Sequence, residues 1–242
     1  MTLSFTLKVS DFDYRIPEFR DPTMLSSAVT EFKTKVNSIT ESYKSKTRYE
    51  QVSGLNDWLT KHNSYNSDLL QTGKAADIAW SSMSALREST GALGPVCEGY
   101  ARAFKCLCDK LSIPCILATG NARNSRSGAG EAHMWNEVQM ENNNWYAVDV
   151  TWNDPIMAGA DNNQKVSGGE SEFWLLLGQN DQVAPGFTFA ESHPNTPAGD
   201  NPFQSQWDLL FESLITKTHY EVSAAITIGK SGKASYCGDK IS

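Results

Sequence analysis

The chain of 242 residues lacks several features that would assign it to a class at once. No stretch approaches eighteen consecutive apolar residues, so the sequence predicts no membrane span. The opening Met1–Ser10 contains one lysine and no apolar run long enough for a signal peptide. The formal net charge is −7 and no run of lysine or arginine offers a local exception, so nucleic acid is not an expected partner.

The five cysteines form neither a metal-binding nor a disulfide pattern. Their number is odd, there is no CxxC pair, and Cys106 and Cys108 are too close together for a zinc knuckle. Four of the five fall within 19 positions in an apolar region, which disfavours a disulfide framework. We therefore expect one reactive thiol among packed ones. With a thiolate, an imidazole and oxyanion donors to supply the chemistry, neither a metal ion nor an organic cofactor is expected.

The first half of the chain is predicted to be helical and the second half mostly extended. Apolar residues recur at helical spacing up to Pro114, and beyond it the period shifts towards two. Helices followed by antiparallel strands predict an α+β fold, here a single domain over residues 1–242. The expected helices are 23–43 (capped by Asp21 and Pro22), Tyr49–His62, Ala75–Ser89, an amphipathic helix with Cys97 in its first turn and Gln206–Ile215, and the expected strands are Cys115–Thr119, His133–Met140, Trp145–Trp152 and Phe173–Leu177.

Cys97 is the cysteine best placed to be a nucleophile. It follows the turn Gly94–Val96 and lies at the predicted start of a helix, where backbone N–H groups and the helix dipole favour a thiolate. Burial inside the same helix or in an apolar strand would keep the other thiols neutral. Position thus separates Cys97 from the remaining cysteines, which are Cys106, Cys108, Cys115 and Cys237.

His133 and Asp149 are the candidate partners of this thiol. His133 follows the polar loop 121–130 at the predicted start of a strand, although a lone histidine is more often structural than catalytic. Asp149 lies in an apolar strand, where a buried carboxylate needs a specific partner, unless it is a solvated residue on the outer face. With a three-residue loop at Asn142–Asn144, Asp149 would lie opposite Glu137 and about 13 Å along the strand from His133. Twist, a bulge or another register would have to close that distance.

Three ordered segments of this sequence resemble motifs of one superfamily. Gly94–Phe104, His133–Val138 and Trp145–Trp152 are similar to the cysteine, histidine and aspartate motifs of the transglutaminase-like superfamily, of the microbial single-domain type. The separations are 36 residues from cysteine to histidine and 16 from histidine to aspartate. The resemblance covers about residues 50–155 and extends more weakly through Leu177, which gives a core of about 50–177.

The resemblance implies a papain-like fold in which N-terminal helices pack on an antiparallel sheet. It assigns Cys97 as nucleophile, His133 as general base and acid, and Asp149 as the residue that orients the imidazole. The Ala79-Trp80 pair looks like an upstream oxyanion element, so Trp80 is a candidate second donor, or alternatively a core residue of an amphipathic helix. Trp135 and Trp152 are candidates to line an acyl groove, although aromatic residues in strands are more often packing residues.

The resemblance also implies a reaction. The thiolate would convert an amide of a protein or peptide substrate to a thioester, which water or an amine then resolves. Protease, peptidase or amidase activity is favoured over cross-linking, and calcium is not expected because no acidic loop has suitable ligand spacing. The alternatives are a sugar–peptide amidase and a non-catalytic module that binds a protein or cell-wall partner.

The compartment is predicted only from composition. The acidic charge and the high content of Asn, Ser and Thr favour a secreted or cell-surface microbial protein over a cytoplasmic one. Cysteines without an obvious pairing fit the cytosol equally well. The sequence gives no indication of oligomeric state.

Overall fold

The structure, a computed structural model, combines a group of helices with antiparallel β-sheets. It describes residues 2–6, 18, 21–154, 172–194, 223–228 and 234–237. Short 3-10 helices at Asp77–Trp80 and Gly91–Leu93 lie between the α-helices. The α-helices are α1 (Pro22–Glu41), α2 (Arg48–His62), α3 (Ser67–Thr72), α4 (Ser82–Leu86), α5 (Cys97–Lys110), α6 (Val150–Asn153) and α7 (Phe189–Ser192).

The strands form a four-stranded antiparallel sheet and two smaller sheets. In the four-stranded sheet the order is β2-β3-β4-β5, so consecutive strands are neighbours. The smaller sheets have the orders β1-β8-β9 and β6-β7. The strands are β1 (Thr2–Thr6), β2 (Cys115–Ala122), β3 (Glu131–Gln139), β4 (Trp145–Val148), β5 (Leu175–Leu177), β6 (Gln182–Ala184), β7 (Phe187–Thr188), β8 (Ser223–Ile228) and β9 (Ala234–Cys237). The α+β class with helices followed by an antiparallel sheet is confirmed.

Side-chain caps fix the starts of the first two helices. Asp21 accepts a hydrogen bond from the Thr23 backbone N–H at 2.8 Å, and Pro22 occupies the first helical position, as expected. Thr47 and Glu50 form a reciprocal capping box at the start of α2. Each cap satisfies backbone donors that the helix itself leaves without partners, which contributes about 1 kcal/mol.

Helix α5 lies at the centre of the fold and is buried on every side. All residues from Cys97 to Cys108 are buried, including the charged residues of the face that was expected to be exposed. Arg102 donates to Glu98 at 2.9 Å, and Lys105 donates to Asp109 at 2.8 Å. Because each buried cation has a carboxylate partner one turn away, the cost of taking these charges out of water is offset.

One apolar core joins the helices to the inner face of the sheet. It includes Phe32 of α1, Leu55 of α2, Met83 of α4 and Phe104 of α5, which pack with Val138 and other sheet residues. Removing one of these aromatic side chains would cost about 3–5 kcal/mol of folding free energy. This packing fixes the start of α5 relative to strands β3 and β4.

Three of the predicted elements differ from the structure. The strand expected at Phe173–Leu177 begins only at Leu175, after a turn. The helix expected at Ala75–Ser89 is wrong: Ser81 is extended and its side chain caps the short α4, which separates it from the 3-10 turn before it. The strand expected at Trp145–Trp152 ends at Val148 and is followed by α6. The late helix expected at Gln206–Ile215 lies outside the described residues, and the single-domain organisation stays a prediction.

Among the residues that the structure describes, no helix combines the length and apolar character needed to cross a bilayer.

Candidate active site

Cys97 is the first residue of α5, and the segment that precedes it is held from two directions. The Val96 N–H donates to the carbonyl of Ala79 at 3.0 Å, and the Asn66 N–H donates to the carbonyl of Pro95 at 3.1 Å. A Cβ at Gly99 would lie 2.4 Å from the Ala79 carbonyl oxygen, so only glycine permits this close approach. Cys97 is thus fixed at the helix start with 8 % of its surface exposed.

His133 lies near the start of β3 and contacts Asp149 directly. It pairs with Gly120 of β2, and 7 % of its surface is exposed. Its Nε2 lies 2.7 Å from Asp149 Oδ2, which is the distance of a charge-assisted hydrogen bond.

The register between β3 and β4 explains how Asp149 reaches His133. The turn comprises residues 141–143, because the Met140 N–H donates to the Asn144 carbonyl and Asn143 adopts a positive φ of 61°. Ala147 rather than Asp149 is therefore opposite Glu137, so Asp149 is two positions nearer to His133 than the assumed loop predicted. The chain leaves the sheet at this point, where Asp149 caps α6.

The carboxylate of Asp149 is fully buried, and both of its oxygens take part in hydrogen bonds. Oδ1 accepts a hydrogen bond from the Trp152 backbone N–H at 3.1 Å, and Asp149 is thus the N-cap residue of α6. Oδ2 faces His133 at 2.7 Å and also His193 Nε2 at 3.1 Å. Burial alone would raise the pKa of Asp149, but the charge and hydrogen bond of His133, together with His193, hold it well below its usual range.

The environment of His133 favours the protonated ring. Burial opposes the charged form, but the negative charge of Asp149 and its hydrogen bond outweigh this and raise the pKa of His133 to about 10. A hydrogen bond and charge interaction with the Cys97 side chain also contribute to this increase. The structure therefore places His133 in direct contact with Asp149, one of the two residues that the sequence grouped with it.

Tyr65 is a neighbour of Cys97 that the sequence did not indicate. Burial raises the pKa of Tyr65, the charges of Cys97 and Glu131 add to this, and a hydrogen bond with the Cys97 backbone opposes it. These effects place Tyr65 close to Cys97. Tyr65 also lines the cavity beside His133.

His193 is the second residue that sequence reasoning missed. It directly precedes Pro194, is fully buried and contacts the carboxylate of Asp149. Its ring stacks on Phe189 with centroids 4.3 Å apart, and the rings of Trp135 and Trp152 lie 4.8 and 4.7 Å away. No local pattern in the sequence links His193 with Asp149, since 44 residues separate them.

A cavity of about 720 Å³ opens beside this site. Trp152 lines it, whereas Trp135 is 1 % exposed and packs with Ala118 and Phe189 outside the lining. Trp80 ends a 3-10 helix next to the Ala79 carbonyl that holds the Cys97 loop, and it is half-buried. The cavity is lined by Tyr65, Leu69, Leu70, Ala122, Arg123, Asn124, Ala129, Glu131, His133, Thr151, Trp152, Asp154 and Trp174.

His133, Asp149 and His193 are also the only described residues whose ligand atoms are grouped closely enough to approach one metal ion, all within 4.8 Å. Both rings direct Nε2 at the same carboxylate oxygen. Hydrogen bonds satisfy this arrangement by themselves, because a neutral or charged imidazole N–H donates and the carboxylate accepts.

Comparisons with known proteins agree with the motifs. Residues 33–150 match the model of the Transglutaminase-like superfamily, a segment that includes the cysteine, the histidine and the aspartate described above. A solved structure described as "Crystal structure of a TGase" is similar at 16 % identity and a TM-score of 0.40. The similarity covers 63 % of this chain and 37 % of that chain, so this protein spans little more than a third of that structure's length. No curated protein matches the chain. Residues 33–150, just under half of the chain, are therefore similar to the transglutaminase-like superfamily, and the resemblance that the motifs predicted is confirmed.

Proposed function

We propose that this protein is an enzyme that transfers or hydrolyses the acyl group of amide substrates through a thioester on Cys97. The observation on which the proposal depends is the buried hydrogen bond between His133 Nε2 and Asp149 Oδ2, on a ring that also interacts with the Cys97 side chain. An imidazole has only two nitrogens, so Nε2 facing the carboxylate leaves Nδ1 for the sulfur. This is the arrangement that a cysteine nucleophile needs.

Each step of the proposed reaction has a group to perform it. The Cys97 sulfur attacks the carbonyl carbon of a carboxamide or peptide bond and forms a C–S bond. His133 gives a proton to the leaving nitrogen as the C–N bond breaks, and ammonia or an amine departs. Water or a second amine then attacks the thioester, its proton returns through His133, and the C–S bond breaks to restore the thiol.

The oxyanion of the tetrahedral intermediate needs donors near the helix start. The Cys97 N–H is one candidate, because it belongs to the first turn of α5, where the helix leaves its backbone N–H groups without intrahelical partners. The Trp80 indole stays our predicted second donor, since it follows the Ala79 carbonyl that anchors the loop before Cys97. Trp152 lines the cavity and is the candidate for contact with the acyl chain. Trp135 packs with Ala118 and Phe189 outside the lining, so it would influence the acyl chain only indirectly.

Protein or peptide substrates fit this site because a cavity of about 720 Å³ with both apolar and charged lining residues can hold a side chain and adjoining backbone. We favour hydrolysis by a protease, peptidase or amidase over cross-linking. A peptide that contains glutamine, incubated with and without a fluorescent primary amine, separates the two outcomes. Release of acid or ammonia alone supports hydrolysis, and stable incorporation of the amine would establish transglutamination instead. Glycopeptides in the same screen detect a sugar–peptide amidase.

Thiol labelling tests whether the protein is an enzyme at all. With iodoacetamide at neutral pH, we expect one thiol to react much faster than the others, and peptide mapping to assign it to Cys97. The buried Cys106, Cys108 and Cys115 serve as internal controls within the same molecule. A Cys97→Ala variant should lose the fast phase and all turnover. Uniformly slow labelling of every cysteine would refute the proposal and leave a module that binds a protein or cell-wall partner.

A further inference from the structure

The carboxylate of Asp149 is held between two imidazoles, and the proposed reaction uses only one of them. His133 Nε2 and His193 Nε2 lie 2.7 and 3.1 Å from the same oxygen, Oδ2. Both histidines and the aspartate are buried, and Asp149 and His193 have no exposed surface. A buried carboxylate gains most from donors whose direction is fixed, because water cannot replace them.

Backbone contacts fix the position of His193 independently of Asp149. Its N–H donates to the Phe189 carbonyl at 2.7 Å, at the end of α7. The preceding residue, Ser192, exchanges two hydrogen bonds with Arg123: the Arg123 N–H donates to its carbonyl at 2.9 Å and its hydroxyl donates to the Arg123 carbonyl at 2.7 Å. The segment is therefore attached directly after the end of β2.

The pairing strand makes room for this segment. A Cβ at Gly120 would lie 2.4 Å from the Pro194 carbonyl oxygen, and Gly120 is the residue opposite His133 in the sheet. Glycine at position 120 thus allows the chain around His193 to pass close to β2, the strand that pairs with β3 at His133. Residues far apart in sequence meet here through one close backbone approach.

The surroundings of the His193 ring favour its neutral form. Burial lowers its pKa, and this outweighs the opposing effect of Asp149. The ring is covered by aromatic side chains, with Phe189 stacked at 4.3 Å and Trp135, Trp152 and Trp174 within 5.7 Å. A neutral ring that faces a carboxylate with Nε2 has its hydrogen on that nitrogen, so it is a fixed donor without a charge of its own.

We propose that His193 is a positioning residue that holds the Asp149 carboxylate in line with His133 through a second hydrogen bond to the same oxygen. The inference rests on the proposed function, and extends the set to Cys97, His133, Asp149 and His193. Because His193 donates without being charged, it orients Asp149 and keeps it ionised while leaving the full negative charge to stabilise the His133 imidazolium. A rotation of the carboxylate away from His133 would break its hydrogen bonds to His193 and to the Trp152 N–H at the same time.

Two substitutions at one position separate positioning from packing. His193→Gln keeps an N–H donor near the place of Nε2, whereas His193→Phe keeps an aromatic ring on Phe189 and removes the donor. Phe189→Leu is the matched control, because it loosens the aromatic packing and leaves the donor in place. The measurements are the rate of Cys97 labelling by iodoacetamide from pH 5 to 9, the NMR titration of the His133 ring, and the thermal unfolding midpoint.

In His193→Phe we expect iodoacetamide to label Cys97 about 10- to 100-fold more slowly at pH 7, because the variant loses one hydrogen bond to a charged group. Its labelling rate should rise with pH where the wild-type rate is level, and its His133 ring should titrate at lower pH. The Gln and Leu variants should remain within about threefold of the wild type. Wild-type rates and titration in the Phe variant, or equal slowing in the Gln variant, would overturn the inference. If wild-type Cys97 labels no faster than the other thiols, the proposed function fails, and the His133 titration in the three variants still decides whether His193 positions Asp149.

Discussion

Replacement of Asp149 by asparagine tests the electrostatics of the site directly. The variant removes one negative charge and almost no volume. Asparagine is as good an N-cap as aspartate, so the contact with the Trp152 N–H that begins α6 is retained. The effect is therefore confined to the interaction with His133 and His193, where an amide can no longer balance a positive ring.

The size of the effect follows from the protonation of His133. The increase of its pKa from 6.5 to about 10 corresponds to about 5 kcal/mol in favour of the charged ring, at 1.36 kcal/mol per unit. Without Asp149 the burial that opposes the charge remains, so the pKa of His133 should fall below 6.5. At pH 7 the ring then changes from almost fully charged to mostly neutral. Labelling of Cys97 and turnover should fall on the order of 10²- to 10³-fold.

The assay compares Asp149→Asn with Asp154→Asn at matched pH. Asp154 is also a buried carboxylate beside the cavity, and it accepts a hydrogen bond from the Tyr100 hydroxyl. NMR should show a His133 ring that does not titrate between pH 5 and 8 in the wild type and the Asp154 variant. In Asp149→Asn the ring should be neutral throughout most of that range. A His133 ring that stays charged in Asp149→Asn, or Cys97 labelling at the wild-type rate, would refute this account.

Three further predictions follow from other described residues. Burial raises the pKa of Glu137 to about 7, above its ordinary 4.5, so folding stability should be lost as pH rises from about 4.5 to 7, by about 3 kcal/mol in total. In urea titrations at pH 5 and 8, Glu137→Gln should lack this part of the loss and keep the part due to His133, whose raised pKa lowers stability above pH 6.5. Glu41→Gln, an exposed change of equal charge, should keep the whole loss, and equal losses in the two variants would contradict the account. Trp80→Phe should lower amide turnover by about 10²- to 10³-fold with thiol labelling unchanged, since an oxyanion donor acts only on the intermediate; equal turnover would exclude it as a donor. Gly120→Ala should lower stability by about 1–3 kcal/mol in thermal unfolding, because its Cβ would lie 2.4 Å from the Pro194 carbonyl oxygen, and an unchanged midpoint would contradict that crowding.

Features set by local chemistry were predictable from the sequence. Asp21 and Pro22 indicated the start of α1, and the turn before Cys97 indicated that α5 begins at the cysteine, because capping and proline act within a few residues. The same spacing argument failed at Ala75–Ser89, where apolar periodicity continues through an extended Ser81. Periodicity reports which face is buried, not whether the helix is continuous.

The relation between His133 and Asp149 depends on a turn that the sequence did not specify. The tract Glu141–Asn144 offers several residues that tolerate the left-handed conformation, and Asn143 adopts it. A shift of the loop by one residue moves the partner strand by two, which is why the expected 13 Å separation along the strand was wrong. In the observed register Ala147 and Val148 are buried and Asp149 reaches His133.

The burial of His193 and its contact with Asp149 could not be predicted from the sequence, for physical reasons. A histidine before a proline resembles a loop residue, and nothing within several positions of it distinguishes a buried ring from an exposed one. Its burial depends on a glycine in β2, on hydrogen bonds between Ser192 and Arg123, and on aromatic residues from β3, α6, α7 and the turn before β5. If those contacts hold His193 in place to position Asp149, then His193→Phe, which removes the Nε2 donor and keeps an aromatic ring, must alter the titration of His133 without unfolding the protein.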